Sequence, residues 1–190
     1  MSTPALTVII PCYNEAGRLA PFFALIRAEA ARPWEWLFVN DGSRDQTAAM
    51  IAAFAAELPE RVRLLSLPVN RGKGAAVRAG LAEARGDLVG FVDADLAASP
   101  LEFERFAGDA ELRAGQALLL GMRLKTQEGK VKRLLHRHLM GRIFQTYASV
   151  MTGLTVYDTQ CGFKLMNRAT ARALATRMTL DGFAFDVEMI

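Results

Sequence analysis

Short apolar runs rich in β-branched and aromatic residues alternate with helical segments along the first 120 residues of the chain. Such alternation, with short polar links, is typical of a mainly parallel sheet that carries helices on both faces. The chain has 190 residues, which suits one full-sized core, so we predict a single α/β domain. The five predicted strands span residues 6–10, 34–39, 62–67, 88–92 and 117–120.

Two of the helices are preceded by sequence signals for their first residue. Ser43 and Gln46 have the spacing of a capping box, in which each side chain binds the other residue's backbone N–H, ahead of an alanine-rich helix. Ser99, Pro100 and Glu102 supply a cap, a proline at the first helical position and a box glutamate. We therefore expect one helix to start after Ser43 and another after Ser99.

The pattern changes after residue 124. A helix is predicted over residues 130–151, followed by a strand near residues 162–166 and a further helix. Residues 186–190 begin another apolar helical pattern, and we expect the working polypeptide to continue beyond them.

Charge, cysteine content and hydropathy exclude several classes of protein. A formal net charge of +3 is too small by itself to hold a nucleic acid, so we predict no nucleic-acid partner. The 2 cysteines form no metal-ligand spacing and no disulfide framework, which favours a reducing compartment such as the cytoplasm. The sequence shows no signal-peptide pattern, and no apolar run reaches the ~18 residues of a membrane-spanning helix.

Polar residues follow each predicted strand. In an open parallel sheet, ligands bind outside the carboxyl ends of the strands. We therefore predict a ligand site at this edge, built from residues 11–15, 40–43, 70–74, 93–95 and 121–123.

Asp93-Ala94-Asp95 follows the most uniformly apolar strand. Strand alternation points Asp93 and Asp95 to the same side if the strand continues. Two neighbouring carboxylates repel each other unless a cation or a proton joins them, and hard divalent ions commonly bridge carboxylates to a diphosphate. The sequence thus suggests a metal and diphosphate site, although a solvated strand end that caps the next helix has the same pattern.

Two further strand ends have both a binding and a structural interpretation. Asp41 can accept hydrogen bonds from a base N–H or a ribose hydroxyl, as acidic strand ends do in dinucleotide folds, or it can be a turn aspartate. Residues 70–74 place two glycines and two cations before a helix predicted over residues 73–85. That arrangement permits close approach of an anion to the helix N-terminus, or it is a plain glycine turn.

Together these segments resemble the family 2 glycosyltransferases of the GT-A fold in residues, order and spacing. The segments are VIIPCYNE (8–15), NDGS (40–43), NRGKG (70–74) and DAD (93–95). Later segments are similar to the branch that makes polyprenyl-phosphate sugars, closest to the dolichyl-phosphate beta-glucosyltransferases. They are GMR (121–123), DTQCGFK (158–164) and DGFAFDVE (181–188). Asn40 replaces the acidic residue usual at its position, and members of the branch usually run well beyond residue 190.

The resemblance implies a GT-A fold with a Rossmann-like amino-terminal half. Residues 1–124 are then the nucleotide-sugar-binding half and residues 125–190 the acceptor-binding half, truncated at its carboxyl end. Asp93 and Asp95 hold Mg²⁺ or Mn²⁺, with Asp95 the more direct ligand. The implied nucleotide-sugar contacts are Pro11, Tyr13, Asn14, Glu15, Asp41, Lys73, Gly74, Asp93 and Ala94.

The implied reaction is inverting transfer of a hexose, glucose by preference, from a UDP- or GDP-sugar to a polyprenyl phosphate. A phosphate monoester is mostly ionised at pH 7, since its second pKa is ~6, so the acceptor needs cations more than a strong base. Arg123 and Arg137 are the candidates for holding it. Asp158 is the family-matched candidate for a base or for orienting the acceptor, and Glu188 or Asp186 is the competing assignment.

Residues 130–151 combine a basic first half with an apolar face. This is typical of a segment that lies on an anionic membrane surface, and a core helix with a solvated outer face has the same pattern. We expect a cytoplasmic protein, peripheral at the inner face of the membrane; a homo-oligomer is compatible with the sequence. Two other functions fit: transfer to a saccharide hydroxyl in cell-envelope polysaccharide synthesis, and a non-catalytic nucleotide-sugar-binding module.

Overall fold

The computed structural model describes residues 3–107, 112, 118–120 and 162–190 of the chain. The strands are β1 (Leu6–Cys12), β2 (Trp34–Asp41), β3 (Val62–Leu67), β4 (Leu88–Val92), β5 (Leu118–Leu120) and β6 (Phe163–Asn167). They form a six-stranded sheet in the order β3-β2-β1-β4-β6-β5. The neighbours from β3 to β4 are parallel, whereas β6 runs antiparallel to both β4 and β5, so the predicted mainly parallel sheet is confirmed.

Helices cover both faces of the sheet. The central strands are buried along almost all of their length, because side chains that alternate along them enter two different cores. The helices are α1 (Leu19–Ala28), α2 (Thr47–Glu57), α3 (Lys73–Glu83), α4 (Arg168–Arg177) and α5 (Phe185–Glu188), with a 3₁₀ helix at Pro100–Phe106. Val8 and Ile10 pack with α1 and α2, whereas Ile9 packs with α3 and α4 on the other face. None of the helices in the described ranges is long and apolar enough to cross a membrane.

The capping box predicted at Ser43 and Gln46 is wrong. Helix α2 begins at Thr47, and Gln46 precedes it without a side-chain cap. The Ser43 hydroxyl accepts instead from the backbone N–H of Asn14, at 3.0 Å, because it links two loops. Asp45 makes the hydrogen bond at the start of this helix instead, since its Oδ1 accepts from Thr47 N at 2.9 Å.

The cap predicted at Ser99 is confirmed, but the element that it starts is a 3₁₀ helix. Ser99 Oγ accepts from Leu101 N at 3.3 Å, and Pro100 is the first helical residue. Glu102 does not complete a box, because its carboxylate accepts from Arg105 at 2.8 Å.

Strands β1 and β2 extend two residues beyond their predicted ends. Pro11 pairs with Val39 of β2, but it lies past Ile9, the last residue of β1 that pairs with β4. The strand is locally an edge at that point, where the missing N–H of proline is tolerated. The extension carries Asp41 into the sheet, in register with Leu67. The predicted division of the chain at residue 124 lies outside the described residues.

Candidate active site

The loops that follow β1 and β2 are held together by side-chain hydrogen bonds. Asn14 Oδ1 accepts from Arg44 N at 2.9 Å, and Thr47 Oγ1 accepts from Glu15 N at 2.8 Å. Asn14 has a φ of 54°, a left-handed conformation that asparagine adopts more readily than most residues. These contacts fix the loop and leave Tyr13 42% exposed beside it.

Asp41 joins the loop after β2 to the loop that precedes α3. Its carboxylate is 2% exposed and accepts from Asn70 Nδ2 at 2.8 Å, Arg71 N at 2.9 Å and Gly72 N at 2.7 Å. A buried charge needs such partners, and this one shapes the whole turn. Gly42 permits the approach, since a Cβ there would lie 2.4 Å from Asn70 N.

The sequence is compatible with a nucleoside contact or a turn aspartate at Asp41, and neither interpretation includes this binding of a second loop. The available signal was an Asn-Asp-Gly strand end followed by a second loop that also contains an asparagine and glycines. A contact between Asp41 and the nucleoside stays a prediction.

The start of α3 meets the turn after β4 through an ion pair. Lys73 is the first residue of α3, and its Nζ lies 2.6 Å from Asp93 Oδ1. Gly72 precedes it with a φ of 109°. The N-terminus of a helix and a lysine form an environment that attracts phosphate groups. Lys73, predicted to contact the ribose or base, and Asp93, predicted to hold the diphosphate, are thus brought together.

Asp93-Ala94-Asp95 forms a turn. Strand β4 ends at Val92, so the condition under which alternation would place both carboxylates on one side is not met. Asp95 is exposed, and its Oδ1 accepts from Ala97 N at 2.9 Å. Asp93 packs against Gly162, where a Cβ would lie 2.3 Å from Asp93 Oδ2.

The carboxylates of this turn suit a metal that is shared with a diphosphate. In the described part of the chain, no group of three or more His, Cys, Asp and Glu side chains could hold an ion by itself. Mg²⁺ in phosphate-binding sites typically takes one or two carboxylates, with substrate phosphates and water completing its shell. An exposed Asp95 beside Asp93 matches that set of ligands.

A buried ion pair lies near this turn. Lys164 of β6 is 0% exposed and pairs with Asp186 of α5, which is 4% exposed. The Lys164 Nζ lies 5.0 Å from the ring centroid of Phe91. Burial raises the pKa of the Asp186 carboxyl, against the attraction of Lys164 and Lys73. Sequence reasoning named Asp186 only as an alternative base and missed Lys164, whose signal was a lysine inside an otherwise apolar strand.

Asp181 anchors the segment between α4 and α5 to α3. Its carboxylate binds Arg78, and also Arg71 Nη2 at 2.9 Å. The backbone carbonyl of Asp181 accepts from Ala75 N at 3.3 Å. A Cβ on Gly72 would lie 2.5 Å from that same carbonyl oxygen, so the two loops touch through their backbones.

Glu188 braces the turn before α5. Its carboxylate accepts from Thr179 N and Thr179 Oγ1, each at 2.7 Å, and from Leu180 N at 2.9 Å. Burial opposes ionisation, but these hydrogen bonds prevail and lower the pKa of Glu188. A low pKa makes a weak base at neutral pH, although the predicted catalytic role of Glu188 is not tested by this geometry.

The remaining predicted side chains of the second half lie outside the described residues. They are Arg123, Arg137 and Asp158, together with the predicted membrane-contacting helix at residues 130–151.

Comparison with known proteins gives one family. The model of glycosyl transferase family 2 matches residues 7–174. The chain is 35% identical over 196 residues to a dolichyl-phosphate beta-glucosyltransferase of Trichomonas vaginalis, covering 97% of this chain and 58% of that protein. It is 31% identical over 204 residues to that of Saccharomyces cerevisiae, covering 97% and 61%. The chain therefore spans about three fifths of the length of these relatives, and the predicted resemblance to them is confirmed.

Solved structures share the fold. Glucosyl-3-phosphoglycerate synthase from Mycobacterium tuberculosis, in complex with uridine-diphosphate, has a TM-score of 0.64 and 22% identity, over 98% of this chain and 64% of that one. Mannosyltransferase PcManGT from Pyrobaculum calidifontis, in complex with GDP-Man and Mn²⁺, has a TM-score of 0.59 and 20% identity, over 100% and 52%. The GT-A fold expected from the sequence is confirmed. Since the family model spans all of the strand-end loops described above, the chain belongs to glycosyl transferase family 2.

Proposed function

We propose that this chain is the nucleotide-sugar-binding and transfer domain of an inverting hexosyltransferase that moves glucose from a UDP- or GDP-sugar to a polyprenyl phosphate. The names of the relatives support the sugar and the acceptor. The observation that carries the donor site is the meeting of Lys73, the N-terminus of α3 and Asp93 at the carboxyl edge of the sheet.

On the donor side, Asp95 and Asp93 would hold Mg²⁺ or Mn²⁺. That ion, when bound, supplies positive charge to the nucleoside diphosphate as it leaves. Lys73 adds a second cation close to the same phosphates, and the N-terminus of α3 adds backbone N–H groups. The nucleoside would lie across the loops after β1 and β2. The proposed contacts are Pro11, Tyr13, Asn14, Glu15, Asp41, Gly74 and Ala94.

On the acceptor side, an oxygen of the lipid phosphate attacks the anomeric carbon. A new C–O bond forms on one face while the bond to the diphosphate breaks on the other, so the configuration inverts. The phosphate monoester is mostly ionised at pH 7 and needs cations that hold it in line. Arg123 and Arg137 are proposed for that task, with Asp158 orienting the acceptor. Residues 130–151 are proposed to lie on the cytoplasmic face of the membrane.

The deciding experiment is a donor and acceptor panel. UDP-glucose, UDP-galactose, UDP-GlcNAc and GDP-mannose are each incubated with the protein, Mn²⁺ and a short polyprenyl phosphate, and the products are identified by mass. We expect a hexosyl polyprenyl phosphate from one donor. Asp95→Asn is the inactive control, because it removes the carboxylate proposed to bind the metal most directly.

Three other results would contradict parts of the proposal. Product that forms only when a saccharide replaces the polyprenyl phosphate would indicate transfer to a hydroxyl. Nucleotide binding without transfer, in this chain and in a longer form, would indicate a binding module. Full turnover in excess EDTA would exclude dependence on a divalent metal.

A further inference from the structure

Burying the ion pair between Lys164 and Asp186 costs desolvation free energy, and a gain in fold stability alone does not explain its presence. Both side chains are almost fully buried, and the neighbours of Lys164 in β6 are the buried apolar residues Phe163 and Leu165. Removing two charges from water costs as much as their attraction returns, and apolar replacements of a buried pair are often at least as stable. The pair therefore points to a role in arranging neighbouring groups.

Those neighbouring groups belong to the donor site. Lys164 stands in register with Phe91, which precedes Asp93 by two residues. The ring of Phe91 has two ammonium groups near it, Lys164 Nζ at 5.0 Å and Lys73 Nζ at 5.9 Å from its centroid. Phe185, next to Asp186, lies 5.7 Å from Lys73 Nζ and 5.8 Å from Phe91, centroid to centroid.

The four charged side chains of these two pairs thus lie around the tilted rings of Phe91 and Phe185. The Lys73–Asp93 pair is partly exposed at the edge of the sheet, and the Lys164–Asp186 pair is buried nearby. Asp186 attracts both Lys164 and Lys73, whereas it repels Asp93. Charges in a poorly solvated environment interact strongly. Replacing Lys164 and Asp186 therefore changes the orientation and the electrostatic energy of the Lys73 ammonium.

We propose that Lys164 and Asp186 are positioning residues for the donor's diphosphate. The negative charge of Asp186 holds the Lys73 ammonium over the rings of Phe91 and Phe185. Lys164 neutralises Asp186, so that α5 can pack near Asp93 without repulsion between the two carboxylates. The pair touches no substrate and acts through Lys73. This inference rests on the proposed donor site at Asp93 and Asp95.

The test replaces both charges by apolar side chains of similar size. Lys164→Met with Asp186→Leu keeps the core filled and removes both charges of this pair together. The matched control is Arg63→Met with Glu35→Gln. That pair is also buried on its acidic side, at 2.6 Å between Arg63 Nη1 and Glu35 Oε1, and it lies at the opposite end of the sheet.

Binding of UDP, GDP and UMP in the presence of Mn²⁺ is measured by calorimetry, with circular dichroism as the check of folding. For the Lys164/Asp186 double variant we expect about a tenfold loss in affinity for the preferred diphosphate, typical of losing a group that orients a binding residue. If UDP is the preferred diphosphate, the affinity for UMP should change much less, because UMP lacks the second phosphate. The control pair should bind as the wild type does.

The mode of action is tested by coupling to Lys73→Met. If the pair works through Lys73, adding the Lys164/Asp186 double variant to Lys73→Met should cause almost no further loss of diphosphate affinity. If the apolar double variant does not fold, Asp186→Asn, which is isosteric, is measured with the same coupling.

Two kinds of result overturn the inference, and they differ. A wild-type chain that binds none of the nucleotides removes the donor site itself, and the role of the pair with it. Wild-type binding with an unaffected pair variant, an equal loss for UDP and UMP, or a loss that adds fully to that of Lys73→Met removes the positioning role and leaves the donor site standing.

Discussion

Lys73 and Asp93 join the first residue of α3 to the turn after β4, with 2.6 Å between Nζ and Oδ1. The side chains are 20% and 28% exposed, so both are open to a ligand and shielded enough for their charges to interact strongly. A cation in this position offers a phosphate group a partner that is already oriented.

Lys73→Met should weaken UDP binding in the presence of Mn²⁺ by about tenfold or more, because a charged contact to phosphate is lost from a partly buried site. The readout is calorimetry. Arg27→Met is the matched control, since Arg27 binds Glu57 on the exposed side of α1 and α2, where both side chains are 51% exposed. Equal binding by the two variants would contradict a phosphate contact at Lys73.

Asp95→Asn should lower transfer from the preferred nucleotide sugar by about a hundredfold or more, since even groups that only orient metal ligands cost ~10–100-fold when removed. Initial rates are measured over a series of Mn²⁺ concentrations. Asp87→Asn serves as the control, because Asp87 is an exposed aspartate that lies 3.5 Å from Arg168 at the other end of β4. Unchanged rates in Asp95→Asn would exclude it as a metal ligand.

Asp41→Asn should lower the free energy of unfolding by about 1–3 kcal/mol, because an amide group then faces N–H donors inside a buried turn. Urea denaturation measures the change. Glu60→Gln, in an exposed turn, should stay within about 0.5 kcal/mol of the wild type. If Asp41→Asn loses nucleotide affinity without losing stability, the carboxylate contacts the ligand rather than the loop.

Gly72→Ala should destabilise the protein by about 1–3 kcal/mol, the usual cost of holding a side chain in a disfavoured backbone conformation. Gly72 has a φ of 109°, and a Cβ would lie 2.5 Å from the carbonyl oxygen of Asp181. Thermal unfolding provides the measurement. Gly17→Ala is the control, since a Cβ there would meet nothing within 4 Å; an equally large effect at Gly17 would show that the contact with Asp181 is not the cause.

The contribution of Asp181 to stability should depend on pH. The hydrogen bond from Arg78, helped by the one from Arg71, holds the pKa of Asp181 below its ordinary value of 3.8. A lowered pKa stabilises the folded state fully above the unfolded pKa, and the gain disappears as the pH falls through the folded pKa. The difference in unfolding free energy between the wild type and Asp181→Asn should be constant above about pH 5 and shrink below pH 3.8.

That pH series has an internal check. A difference for Asp181→Asn that does not change between pH 6 and pH 3 would mean that the ion pairs with Arg71 and Arg78 do not stabilise the folded chain.

The parallel sheet and its polar edge could be predicted because both follow from local sequence. Apolar runs specify strands, and a parallel arrangement brings the residues after each strand to one edge, so Asp41, Lys73 and Asp93 were all expected there. The partners of these side chains could not be predicted in the same way. The Asp41 carboxylate binds a loop that lies about thirty residues later in the sequence, and no residue within its own turn indicates that contact.

The errors have a common physical origin. Ser43 has the residue type and spacing of a helix cap, yet its hydroxyl binds Asn14, because a tertiary contact competes for the same oxygen. Lys164 was overlooked because a lysine among apolar strand residues can also point to solvent, and its burial follows only when Asp186, 22 residues later, is placed beside it. Local patterns report propensity, and the site depends on contacts between distant segments.

The contact between Arg71 and Asp181 spans 110 positions of the sequence, and the carbonyl of Asp181 also lies against Gly72. A polypeptide leaves the ribosome from its amino terminus, and early segments can begin to fold before later ones exist. Strands β1 to β4 can thus pair during synthesis, and Asp41 can already bind the loop that presents Lys73, but the contacts of that loop with Asp181 form only after residues 178–186 have been made. We therefore expect nascent chains released before residue 178 to contain the sheet and to lack a mature nucleotide pocket, so that the ability to bind a donor appears late in translation.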